Sequence, residues 1–245
     1  MRIALFGYGK MGRMIAELAA ERNHQIVAKI DIDETERDFS TFDVAIDFST
    51  PDAAFNNITA CFKNNVPVVS GTTGWLHDFE KAVEICNQYG TAFVYASNFS
   101  LGVNIFFELN AYLAKMMSQL EQYKISMEEI HHTQKLDAPS GTAITLAEGI
   151  LQHSRLTQWK LEEFGKDILP ITSKREGKVP GTHSVDYKSE VDTIQIKHTA
   201  HNRKGFALGA LMAAEWLQNI KGIFTMKDVL SLNYTCNIFH KNMSK

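Results

Sequence analysis

Along the first hundred positions the apolar residues fall in short continuous runs, separated by stretches in which they recur every three or four residues. Residues 2–6, with Ile3-Ala4-Leu5-Phe6, read as a buried strand; after a glycine-rich turn, Met11, Ile15, Leu18 and Ala19 recur at helical spacing. A second apolar strand occupies 25–30. The rhythm then repeats as strand 43–48, helix 53–63, strand 66–70, helix 76–89 and strand 91–96. Ser49-Thr50-Pro51-Asp52 looks like a helix start, because proline is tolerated in the first turn. Repeated βα units of this length predict a Rossmann-like parallel sheet with ligand sites at the carboxyl ends of its strands. Gly71-Thr72-Thr73-Gly74 and Asn98-Phe99-Ser100 fall at such ends.

Beyond residue 100 the pattern changes. An apolar helix covers 102–120, an alternating strand 123–130, and a helix 143–153, before two alternating strands at 183–188 and 191–199 follow in hairpin succession. Strands in that order predict a smaller, mostly antiparallel α+β domain. An apolar helix at 207–220 is expected to close back on the N-terminal half. The domain expectation is therefore 1–100 with 204–245 for a dinucleotide, and 101–203 for substrate and oligomerisation. One irregularity stands out: the eleven residues 32–42 are too few for a full crossover helix.

Composition narrows the function classes. Lys+Arg 25 against Asp+Glu 28 gives a net charge of -3, which leaves no bulk positive field for nucleic acid or an anionic membrane. The N-terminal apolar run breaks at Gly7, too short for a signal-peptide core or membrane span, so the cytoplasm is expected. Cys61, Cys86 and Cys236 match no zinc or disulfide spacing and suit a reducing compartment.

The first chemical candidate is Gly7-Tyr8-Gly9-Lys10-Met11-Gly12 between strand and helix. Gly7 permits the tight turn, Gly9 lets backbone approach a pyrophosphate, and Gly12 lets helix and strand pack closely, with the helix N-terminus offering N–H groups to anionic oxygen. Such turns also serve purely structural connections. Asp31, about 20 residues past the last glycine, stands where a ribose-binding acid is expected. Asp33 and Glu34 follow it, so a solvated turn or a helix cap fits as well. An acid there favours NAD, and Ile32 supplies no arginine for a 2′-phosphate; Lys10 and Arg13 pull the other way if they are more than ordinary surface charge.

The second candidate runs from Glu129 through His131, His132, Lys135, Asp137, Ser140, Gly141 and Thr142 to Ala143. Adjacent histidines on a strand face opposite sides, so both reach one site only if the chain turns there. A helix start with Ser140, Gly141 and Thr142 beside the Lys135 ammonium would cradle a carboxylate. The same residues fit plain helix caps, and a His pair fits a solvated strand end. Metal is disfavoured: no HxxxH, HxH or His/carboxylate ligand spacing is evident, and Lys135 would repel a divalent ion.

Taken in order, these segments resemble the 4-hydroxy-tetrahydrodipicolinate reductase family over most of the chain. Residues 129–143 are similar to its string E-x-H-H-x-x-K-x-D-A-P-S-G-T-A, Gly7 to Gly12 to its cofactor loop, and Gly71-Thr72-Thr73-Gly74 to its nicotinamide-side loop. The run 98–104 resembles its entry into the substrate domain, Arg175, Gly177, Gly181 and His183 its R-x-G-x(3)-G-x-H pattern, and 222–230 its C-terminal motif. The resemblance implies His131 as proton donor, Lys135 assisting, His132 contacting substrate, and Ser140, Gly141 and Thr142 holding a carboxylate. It implies NADH or NADPH held by residues 7–12, Asp31, Gly71, Thr72, Thr73, Asn98 and Phe99, and no metal. It also implies a homotetramer whose substrate-domain sheets pack together and a cyclic dicarboxylate reduced on the diaminopimelate route to lysine. Another two-domain NAD(P) reductase explains 129–143 poorly. A catalytically inactive nucleotide-binding sensor needs neither His131 nor Lys135.

Overall fold

The computed structural model describes residues 1–31 and 38–232. Ile32, Asp33, Glu34 and Cys236 lie outside the described residues, as does most of the 32–42 connection; its described end is a single 3-10 turn, Phe39–Thr41. The chain divides into two compact units, Met1–Phe99 with the segment from Ala207 onward, and Ser100–Phe206.

In the first unit, β1 (Arg2–Phe6), β2 (Gln25–Ile30), β3 (Val44–Asp47), β4 (Val68–Ser70), β5 (Ala92–Tyr95) and β11 (Gly222–Phe224) form a six-stranded sheet in the order β11-β5-β4-β3-β1-β2. Every pairing is parallel. The strands are continuous apolar runs because helices shield a parallel sheet. α1 (Lys10–Glu21) buries Gly12, Ile15 and Ala19, one face at helical spacing. α2 (Pro51–Lys63) has proline in its first turn, and α3 (Phe79–Tyr89) ends on Gly90 at φ 61, a left-handed cap that glycine adopts without steric cost. The expected helix 76–89 is thus a 3-10 turn, Leu76–Asp78, followed by α3. Strand order reverses between β2-β1 and β3, which puts the ligand crevice of such a sheet beside Gly7. The third-residue run of β11 is too short to be read from periodicity; its ladder to β5 carries the chain's last part into this sheet.

The second unit holds α4 (Leu101–Met117), β6 (Lys124–His131), α5 (Gly141–Leu151), β7 (Gln158–Leu161), β8 (Ile168–Arg175), β9 (Gly181–Lys188) and β10 (Thr193–Ala200). The sheet order is β10-β9-β6-β8-β7. The expected mostly antiparallel sheet is mixed: β10, β9 and β6 pair antiparallel, whereas β6-β8 and β8-β7 are parallel. The reason is the crossover through α5, which returns the chain to the edge strand β7 in the direction of β6, with β8 then entering between the two. Phe106, Leu113 and Met117 of α4 and Leu146 and Ile150 of α5 pack with Met127, Ile171 and Val185 from the inner face of the sheet. Asn110 ties the helices by donating to the Leu146 carbonyl at 2.9 Å. α6 (Lys204–Trp216) starts in this unit and continues in the first, and α7 (Met226–Val229) follows β11. Among the described residues no helix is long and apolar enough to cross a membrane.

Gly209 of α6 is packed so tightly that a Cβ there would lie 1.7 Å from the Phe99 carbonyl oxygen. Gly209→Ala is expected to cost roughly 3 kcal/mol, the upper end of ordinary overpacking, or on the order of 6–12 °C in melting midpoint for a chain of this size. A variant that melts with the wild type would show that α6 does not seat against residue 99.

Candidate active site

In the first unit, the turn after β1 is shaped by three glycines in three different ways. Gly7 has φ +85, and a Cβ there would fall 2.2 Å from the Phe48 carbonyl oxygen. A Cβ on Gly12 would lie 2.3 Å from the Gly7 carbonyl oxygen, so helix and turn are in close contact. Around Gly9 nothing lies within 4 Å of such an atom. Gly9 is the N-cap of α1, and no side chain caps that terminus. The opening turn therefore offers backbone N–H groups to an anion with room for it to approach. Lys10 is exposed at the first helical position; Arg13 lies 5.9 Å over the Tyr8 ring, and Lys29 lies 4.5 Å over the same ring. Lys29 is a cation the sequence reading did not single out. Met11 is half-buried.

A cavity of ≈ 310 Å³ opens here, its wall including Gly7, Ile30, Asp31, Ser49, Thr50 and Asn57. Asp31 thus reaches the predicted position at the end of β2. The 71–74 loop and residues 98–99 divide differently between backbone and side chain. Thr72 is buried, its hydroxyl donating to Asp47 at 2.7 Å and accepting from the Ser49 N–H at 2.9 Å. Thr73 is exposed, Asn98 half-buried, and Gly71 leaves room for the Phe48 ring, which a Cβ would approach at 2.2 Å. Phe99 is a core residue, 1% exposed and edge-on to Phe48 at 5.8 Å.

In the second unit the chemistry gathers around one acid. Inner-face alternation on β6 brings Met127, Glu129 and His131 to the same side. Glu129 has no exposed surface. Its Oε2 accepts from the Ser140 N–H at 3.0 Å, its Oε1 from the Ser173 hydroxyl at 2.7 Å, and the Arg175 guanidinium stands 3.5 Å away. Burial works against ionisation of this carboxyl, but the Ser140 and Ser173 hydrogen bonds outweigh it and hold it below the usual range. Arg175 also donates to the Lys135 carbonyl at 3.1 Å and the Asp137 carbonyl at 2.7 Å, bracing the loop that follows β6.

His131 Nδ1 is 3.6 Å from Glu129 Oε2 and has no hydrogen-bond partner, although its side chain is only 8% exposed. Its ring meets that of His183 edge-on at 5.1 Å, and His183 Nε2 lies 3.1 Å from Ser140 Oγ. Gly181 makes room, since a Cβ there would sit 3.2 Å from His131 Nε2. Burial holds His131 below the ordinary imidazole range against the pull of Glu129; burial and then His131 bring His183 down to about 4.

The strand ends at His131, and the chain turns directly after it, the Lys135 N–H donating to the His132 carbonyl at 3.1 Å. His131 enters the Glu129 cluster, while His132 lies beyond the strand end, half-buried. Lys135 Nζ sits 2.7 Å from both carboxylate oxygens of Asp137, which lowers the Asp137 pKa. Asp137 is therefore an ion-pair partner, and Ser140 is the N-cap, accepting from the Ala143 N–H at 3.2 Å. The N–H and hydroxyl of Ser140 are both engaged; Gly141, exposed with nothing within 4 Å of an added Cβ, is the open point of the helix tip, and Thr142 is half-buried.

The expectation that no His/carboxylate set stands at ligand spacing needs correction. Glu129, His131 and His183 each offer a ligand atom within 4.8 Å of the others. The set spans two strands, registered by the Glu129↔His183 pair, which is why linear spacing conceals it. Its carboxylate is already supplied with donors and a guanidinium, as an acid that holds imidazoles requires.

The chain matches the family models "Dihydrodipicolinate reductase, N-terminus" over residues 1–99 and "Dihydrodipicolinate reductase, C-terminus" over 102–230. It is 62% identical over 234 residues to a 4-hydroxy-tetrahydrodipicolinate reductase of Christiangramia forsetii, covering 94% of this chain and 98% of that one. Its identity to the enzyme of the same name from Thermosipho africanus is 38% over 233 residues, covering 94% and 98%. Among solved structures, a dipicolinate-bound dihydrodipicolinate reductase from Paenisporosarcina sp. TG-14 superposes with a TM-score of 0.76 at 22% identity, over 92% of this chain and 97% of that one, a likeness of fold.

A neutral, buried His183 has a consequence for stability. Its folded pKa is depressed to about 4 from 6.5, so as pH falls below 6.5 the unfolded chain takes up a proton that the folded one refuses. Stability is expected to fall between pH 6.5 and about 4, by up to ~1.4 kcal/mol per pH unit. Chemical denaturation at pH 7 and pH 5 checks this: His183→Gln should flatten the dependence, and parallel wild-type and variant curves would refute the assignment.

Proposed function

Since the chain belongs to the dihydrodipicolinate reductase family, we propose that His131 is the proton donor to a cyclic dicarboxylate and that the glycine turn of the first unit holds the cofactor. The family activity, NAD(P)H-dependent reduction of 4-hydroxy-tetrahydrodipicolinate in the diaminopimelate route to lysine, is the activity of this chain. The observation that carries the assignment of His131 is its place beside a fully buried carboxylate, with Nδ1 facing Glu129.

The residues present fit a dinucleotide: an uncapped helix start, open space over Gly9, and a cavity with Asp31 on its wall. In this reading Gly7, Tyr8, Gly9, Lys10, Met11 and Gly12 surround the pyrophosphate, and Asp31 accepts from a ribose hydroxyl. Gly71, Thr72, Thr73, Asn98 and Phe99 lie on the nicotinamide side, Thr72 and Phe99 through backbone because their side chains are engaged. When bound, the nicotinamide supplies a hydride from its C4.

On the substrate side, Gly141 and Thr142 at the helix tip hold one carboxylate, with Ser140 fixing the tip through its cap. Lys135 exchanges Asp137 for substrate and assists, and His132 contacts substrate from the strand end. A dianion arriving beside His131 raises the proton affinity that burial has lowered, so binding loads the donor. The hydride would reduce one carbon of the double bond in the loss-of-water form of the substrate, His131 would give its proton to the neighbouring carbon, and Glu129 would steady the imidazole through Nδ1. The dipicolinate bound by the Paenisporosarcina relative supports a planar cyclic diacid. The outer face of the second sheet, with Ser126, Glu128, Ser184 and Asp186, is where a homotetramer would form, as the resemblance implies. Cys61 and Cys86, buried and unbridged, support a cytoplasmic setting.

With substrate made in situ from pyruvate and aspartate semialdehyde, loss of reduced-nicotinamide absorbance is expected from the intact protein. His131→Ala should lower kcat by roughly 10²–10⁴-fold, the range of general acid catalysis, and Lys135→Ala should also abolish most turnover. A folded, cofactor-binding protein that shows no turnover would favour a sensor. Asp31 and the basic residues near it oppose each other, so NADH and NADPH are expected to be used with similar efficiency; a bias towards NADPH of about a hundredfold would defeat this reading of Asp31.

A further inference from the structure

At the carboxyl end of β3, Asp47 is 1% exposed, and the groups that hold it are neutral. Ser49 Oγ donates to its Oδ1 at 2.6 Å; Ser70 Oγ and Thr72 Oγ1 donate to its Oδ2 at 2.9 and 2.7 Å. Each hydroxyl donor on a loop is itself fixed in turn. Asn57 Nδ2 donates to Ser49 Oγ at 3.3 Å, and the Ser49 N–H donates to Thr72 Oγ1 at 2.9 Å. The Gly71 N–H closes the set on the Asp47 carbonyl at 2.9 Å. One side chain thus binds the segment that starts α2 to the loop that follows β4.

Two of these residues, Ser49 and Asn57, also line the cavity beside Gly7 and Asp31. A carboxylate buried without a cation is a costly way to hold two loops, and burial pushes this carboxyl up despite its hydroxyl donors. The location explains the choice of residue. Asparagine, with one donor end, could not accept from three hydroxyls that are also constrained by their other bonds.

We propose that Asp47 is a positioning residue for the dinucleotide: by fixing Ser49 and Thr72 it sets how the 49–50 and 71–74 loops face the ligand in the cavity. The proposal rests on the reading of the first unit as the cofactor site. It deepens that reading by naming the group that orders two of the loops.

NADH binding to the full-length protein, followed by the ligand's fluorescence well below the melting temperature, tests it together with steady-state kinetics. Asp47→Asn is expected to raise the NADH Kd at least tenfold, while kcat at saturating cofactor stays within threefold and the KM for the dicarboxylate within twofold. A purely structural role would lower the melting temperature and leave the Kd of the folded protein unmoved, and that result overturns the proposal. Should Asp47→Asn not fold, Ser70→Ala removes a single donor; a Kd raised about threefold supports the proposal, and an unchanged one overturns it. Gly9→Asp separates the two levels of inference, because its side chain enters open space at the helix start and its charge repels phosphate. If Gly9→Asp leaves NADH binding intact, the cofactor-site reading fails, and the proposal with it. If Gly9→Asp abolishes binding and Asp47→Asn does not weaken it, Asp47 alone is excluded.

Discussion

Taking a carboxylate out of water is the constraint around which the segment from β6 to α5 is built. Glu129 has no exposed surface, and an ionised acid in that position must be met by donors on every side or give up its charge. The donors come from three places in sequence, the Ser140 N–H at the start of α5, the Ser173 hydroxyl on β8 and the Arg175 guanidinium, while the imidazoles of His131 and His183 stand 3.6 and 3.7 Å from its Oε2. Satisfying one acid therefore fixes the entry of a helix and ties β6 to β8. The geometry of the site and the packing of the unit are the same set of bonds.

The loop between β6 and α5 shows how far this reaches. Arg175 touches the acid with one end and, with the other, holds the carbonyls of Lys135 and Asp137. Lys135 is thereby placed with its ammonium on Asp137, a contact in which the lysine side chain is 21% exposed and the aspartate 62%, open enough for the exchange proposed above. A buried, permanently paired lysine could not release its partner for an incoming carboxylate. Rigid backbone with a replaceable counter-ion is what an anion site needs from such a loop.

Much of this was legible in the sequence, but not evenly. The βα rhythm of the first unit, the glycine turn and Asp31 could be read because they depend on local periodicity and on steric demands at single positions. The helix start at Ser140 was readable for the same reason. The mixed character of the second sheet was not, since β6 and β8 become neighbours through a crossover whose pairing leaves no local trace, and the three-residue β11 is shorter than any period. The Glu129, His131 and His183 cluster is invisible to linear spacing because a ladder between β6 and β9 assembles it. A trace did exist: an acid alternating with Met127 and His131 on the inner face of a strand is out of place unless something compensates it. At Phe99 the motif position that resembles a cofactor contact places its ring in the core, which leaves only its backbone for the contact proposed.

The two buried acids differ in how their charge is met, and the difference suits what each holds. Glu129 has a guanidinium 3.5 Å away to balance its charge before any ligand arrives, and the Ser140 and Ser173 hydrogen bonds hold its pKa low against burial. In the role proposed for His131, it can stand beside a histidine that gains and loses a proton because it remains an anion throughout. Asp47 is met by neutral groups, hydroxyls and the Asn57 amide, and its pKa is pushed up by burial. A full cation beside it would draw phosphate toward the floor of the cavity and compete with the open helix start at Gly9 for the same anionic group. Hydroxyl donors order the loops without adding positive charge, which leaves the α1 terminus as the anion-attracting element of that wall. On the proposed roles of the two sites, the charged partner stands where a proton is transferred and the neutral partners stand where an anion is guided to one place.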